Sequence, residues 1–130
     1  KGWTSSRGET MTETRYRERI RGLERRADAV ADSLDPDPPD EERAIELLRE
    51  GVGPTVSVYC EARTGESWAR FPESEFQRLQ STLDRWLSLY ARCYGVELSG
   101  TYSVRTAAEL LVDTHDVRDV ATVLTGVPDR

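Results

Sequence analysis

Between Ser74 and Tyr94 the residues Phe76, Leu79, Leu83, Trp86, Leu87, Tyr90 and Tyr94 recur at helical spacings, and no other segment constrains the fold as strongly. Side chains so spaced line one stripe of an α-helix about six turns long. The rest of the chain must therefore pack against that stripe. Ser74-Glu75-Phe76-Gln77 fits a capping box at its start, and Gly95 supplies a stop at its end. A chain of 130 residues has the size of one ordinary domain and can bury a core without disulfides or a metal.

A second helical pattern runs from Glu13 to Leu34, with Tyr16, Ile20, Leu23, Ala27, Val30 and Leu34 on one side. The spacing is close to a heptad, so Tyr16, Ile20 and Leu23 are expected to serve self-association as readily as the core. The other side is rich in arginine. Arg15, Arg19 and Arg26 are the candidates there for contact with nucleic acid, although interleaved glutamates favour a solvated face of i,i+3 and i,i+4 pairs. Asp35-Pro-Asp-Pro-Pro-Asp40 ends this helix, because prolines remove backbone donors and enforce extended backbone. Asp40 is placed to cap a short helix over 41–50, which Gly51 would stop.

After Gly53-Pro54 the period changes to two. Val56, Val58, Cys60 and Ala62 alternate with Thr55, Ser57, Tyr59 and Glu61, which predicts a half-buried strand. Thr64-Gly65 offers a turn, Ser67–Phe71 a returning strand, and 96–102 a third. The expected fold class is α+β, a small antiparallel sheet packed on the 74–94 helix. On that reading Tyr59 and Glu61 share an exposed strand face, the preferred surface for a protein partner.

Two short helices follow, one beginning at Ser103 or Thr106 and one capped by Asp116 and closed by Gly126. A helix-turn-helix reading would set Arg118 on a recognition helix, but Asp119 beside it is poor equipment for phosphates. The expected organisation is a tail at 1–12, a helical segment at 13–51 and an α+β core at 52–130.

Chemistry is sparse in this sequence. The lone histidine, His115, shows no zinc spacing with Cys60 or Cys93, and no nucleophile stands in a recognisable arrangement. No catalytic residue, metal ligand or cofactor is therefore assigned. No apolar run is long enough to span a bilayer, no secretory signal is evident, and a cytoplasmic location is expected. Lys1 is the only lysine; the remaining 17 basic residues are arginines, set against 24 acids for a net charge of -6. In composition and general layout the chain resembles the uncharacterised small acidic proteins of halophilic archaea, whose carboxylates hold water in concentrated salt. The functional expectation is a non-enzymatic interaction or regulatory module, as a homo-oligomer or with another protein. The alternative is a nucleic-acid-associated regulator using the arginine face or the C-terminal helix pair.

Overall fold

The computed structural model describes residues 3–33, 40–64, 72–98 and 100–127, with side chains from Tyr16 onward. Its elements are α1 (Trp3–Ser33), α2 (Glu41–Leu47), a π-helical turn (Leu48–Val52), α3 (Gly53–Thr64), α4 (Glu73–Arg92), α5 (Val104–Thr114) and α6 (Val117–Thr125). Among the described residues there is no strand, so the fold is all-α and the α+β expectation is overturned.

The predicted first strand is α3. Thr55, Val56, Val58, Tyr59 and Ala62 are all buried there, while Cys60 is half-buried and Glu61 exposed. A helix covered on most sides shows no clean polar stripe, so a short window of it can mimic alternation. The β-branched valines favour strands only weakly, and tertiary packing overrides them. Pro54 is tolerated in the first turn. The described residues of the expected third strand, 96–98 and 100–102, are irregular backbone, and α4 side chains take the backbone groups at its end. Tyr102 N–H donates to Asp84 Oδ1 (2.7 Å), Gln80 Nε2 donates to Tyr102 O (2.8 Å), and Val104 N–H donates to Gln80 Oε1 (2.5 Å). The returning strand at 67–71 lies outside the described residues.

Gly51 does not stop a helix. The backbone stays helical from Glu41 through Thr64, widening to a π turn over Leu48–Val52. A Cβ on Gly51 would sit 1.9 Å from Trp86 Cδ2, so the indole of α4 lies directly on the glycine. A π turn disturbs the i→i−4 ladder locally. Here Thr55 Oγ1 donates to Gly51 O (2.7 Å), and Arg26 Nη1 donates to Glu50 O (3.3 Å).

One core cluster runs from Tyr16 to Val127. Within it α4 is central, touching α1, α2, the π turn, α3, α5 and α6. It begins two residues before the expected capping box: Pro72 is the N-cap, and its carbonyl accepts from Glu75 N and Phe76 N. Asp40 caps α2 through Arg43 N–H, and its own N–H reaches Cys93 O at 2.7 Å, which fixes α2 to the end of α4. Tyr90 Oη, on α4, donates to Val127 O at 2.7 Å and holds the segment after α6. Burial pushes the Tyr90 phenol up to about 12, so it remains a donor.

Asp84 yields a test of this packing. Burial raises its pKa although the Tyr102 N–H lowers it. The folded chain therefore binds this proton more tightly than the unfolded one. Its stabilising contribution is present below the ordinary aspartate range and is lost as pH rises through the folded pKa. Asp84→Asn keeps an oxygen for Tyr102 and removes a half-buried charge, so it is expected to melt somewhat higher at pH 7. The difference should vanish in acid. A lower melting temperature at pH 7 would mean that the hydrogen bond to the charged form outweighs burial.

Candidate functional site

A groove of about 560 Å³ opens between α3 and α5. Its α3 side carries Tyr59, Cys60 and Arg63; its α5 side carries Ala108, Val112 and a charged edge. Helix α5 is positioned by Ser103 Oγ, which accepts from Thr106 N–H (3.2 Å), and by burial of Val104, Ala107 and Ala108. Arg105, Ala108, Glu109, Val112 and Asp113 follow i, i+3, i+4, i+7, i+8 spacing, so they form one stripe beside the core-facing one. Val112 projects from that stripe with 65% of its surface exposed, the largest value among the exposed large hydrophobics of the described residues. Arg105 Nε and Glu109 Oε2 stand 3.5 Å apart along the rim.

The groove is not equipped for nucleophilic chemistry. Burial, and then the charge of Glu61, push the Cys60 thiol upward, so it stays protonated at neutral pH. Cys93 is buried elsewhere in the core, and its thiol is likewise raised by burial. His115 is exposed in left-handed backbone (φ 57°) as the C-cap of α5. Among the described residues no hydrogen bond joins its ring to Cys60, and no group of three or more His, Cys, Asp or Glu side chains is arranged to hold a metal ion.

The structure scatters the residues singled out from the sequence. Tyr16, Ile20 and Leu23 are buried in the chain's own core, where α1 packs on α3 and α4. Tyr59 is buried at the groove floor, its ring 6.2 Å from that of Phe76. Glu61 lies on another side of α3 and accepts two bonds from Arg19, at 2.6 and 3.2 Å. Arg26 reaches Glu50 O, and Arg118 Nη2 lies 3.5 Å from Glu41 Oε2. The Arg15 side chain is outside the described residues. The charged face of α1 thus ties helices together: its Arg17 and Arg21 both approach the buried carboxylate of Glu75 on α4, while its Glu24 and Asp28 receive Arg78 and Arg85 of α4.

Two smaller clefts border this network. One of about 380 Å³ lies between α1 and α3 near Gly22 and Pro54; one of about 220 Å³ lies between α1 and α4 near Ala27 and Ser81. Both are edged by arginines already engaged by acceptors. The α3–α5 groove is not legible in the sequence, because the period-two pattern over 55–62 points to a strand and a strand has no such face toward α5. The second stripe of α5 was legible in its spacing, but only once its inward residues were known.

Residues 14–129 match the family model described as Domain of unknown function (DUF8055). No curated protein and no solved structure matches the chain.

Proposed function

The chain belongs to the DUF8055 family, and we propose that it acts as a non-enzymatic protein-interaction module whose recognition surface is the α3–α5 groove. The observation that carries this reading is Val112, exposed beside a hollow floored by Tyr59 and Ala108. An apolar hollow between two helices, rimmed by charges of both signs, fits a third helix laid along it with an aliphatic anchor inserted. The occupant is a helical segment of a protein chain. Nucleic acid is a poorer fit, because Arg19, Arg26 and Arg118 already have acceptors and the net charge is -6.

A photo-cross-linking side chain at position 112 tests the reading in the protein's native cells, with the equally exposed Val123 of α6 as the control site. Adducts to a protein chain are expected at position 112 and not at 123. Equal yields at the two positions would remove the groove from consideration.

A further inference from the structure

We propose that the helix filling this groove is α5 of a second copy, laid antiparallel across a two-fold axis; the proposal rests on the groove being an interaction surface. Two observations support it. The first is that the anchor and the hollow lie on the same face: Val112 projects from the edge of the depression formed with Tyr59, Cys60 and Ala108. An isologous interface needs this self-complementarity, since each copy must supply to its partner what it receives.

The second is the order of charges along α5. Arg105 stands near its start and Asp113 near its end, on one stripe and about 12 Å apart along the axis. An antiparallel seat sets Arg105 of each copy against Asp113 of the other, twice over. A parallel seat would align like charges. The antiparallel arrangement also opposes the two helix dipoles. The same register sets Glu109 against Glu109 of the other copy at the two-fold axis, one like-charge contact against two opposite-charge ones. Each Glu109 stays 3.5 Å from its own Arg105, whose guanidinium then lies between two carboxylates and offsets part of that repulsion. No residue of the apolar core is disturbed, because Val104 and Ala107 face inward.

Sedimentation velocity of the full chain over a concentration series tests the pairing at low and high salt, with circular dichroism verifying the fold. A reversible dimer is expected, and Val112→Asp should abolish it while leaving the helical signal intact. Arg105→Asp and Asp113→Arg should each weaken the dimer by about tenfold, less at high salt, from two rim pairs lost per interface. The double swap should restore it. Cys60 gives an independent readout: its thiol lies in the groove while Cys93 is fully buried, so labelling of native protein reports Cys60 and should slow as the dimer forms.

A chain monomeric throughout the series, a dimer indifferent to Val112→Asp, or a double swap no better than the singles would each overturn the pairing. A monomer that still cross-links through position 112 to a different protein would end the self-pairing and leave the interaction surface standing. Absence of both dimer and cross-link would end both.

Discussion

Gly51→Ala is expected to lower stability by about 3 kcal/mol or more, at the upper end of overpacking effects, as measured by urea unfolding. The added methyl carbon would lie 1.9 Å from Trp86 Cδ2 and 2.1 Å from Cε3. The indole cannot swing aside, because Trp86 is fully enclosed by the core. Relief must come from backbone shifts in the π turn, where Thr55 and Arg26 hold the carbonyls of Gly51 and Glu50. A double-mutant cycle isolates the cause. In a Trp86→Leu background, itself weakened by about 3 kcal/mol, the step from glycine to alanine should cost less than about 1 kcal/mol. An equal cost in both backgrounds would show that the glycine is needed for backbone conformation and not for the indole.

Ile20→Asp should unfold the chain. Ile20 has no exposed surface, and an unpaired carboxylate there loses its hydration without a partner. A penalty of about 4 kcal/mol or more would consume much of a small domain's stability. Ile20→Val, which removes one methylene, should cost only about 1 kcal/mol. Arg19→Ala, at the neighbouring position of α1, should cost less than about 1 kcal/mol because its pair with Glu61 is partly exposed to solvent. Thermal melts followed by circular dichroism rank the three. An Ile20→Asp chain that stays folded but sediments more slowly than the parent would place this stripe against another chain. Val112→Asp offers the direct contrast, since Val112 is exposed within a single copy and its replacement should leave the fold's melting intact.

What was readable from sequence depended on whether a helix has one wet side. Helix α4 does, and its stripe placed Leu79, Leu83, Trp86 and Tyr90 in the core correctly. The stripe of α1 was equally clear, though nothing in its spacing says whether the covering surface belongs to the same chain. Caps carried local information well: Asp40, Ser103 and Asp116 each accept the N–H that their chemistry suits, and Gly126 adopts φ 74°. Helix α3 carries no helical signature in its sequence, because its neighbours α1, α4 and α5 leave it little exposed surface to mark a period. The candidate site is built on that helix, so it is hidden in the sequence for the same reason. The roles of the arginines were also hidden, since their partners lie far along the chain, as with Arg19 and Glu61 at a separation of 42 residues or Arg78 and Glu24 at 54.

The π turn between α2 and α3 acts on the architecture as a phase shifter. One residue beyond the regular helical repeat rotates everything after it by about 100° relative to everything before. Helix α2 thereby packs on α4, while α3 meets α1, α4 and α5, with Val58 bordering α1 and Tyr59 reaching Phe76 of α4 and the α5 groove, in what is otherwise a single unbroken rod. A one-residue length change within Leu48–Val52 is therefore an angular error rather than a displacement. It would turn Tyr59 and Cys60 away from α5 and erase the groove while leaving both halves of the rod helical.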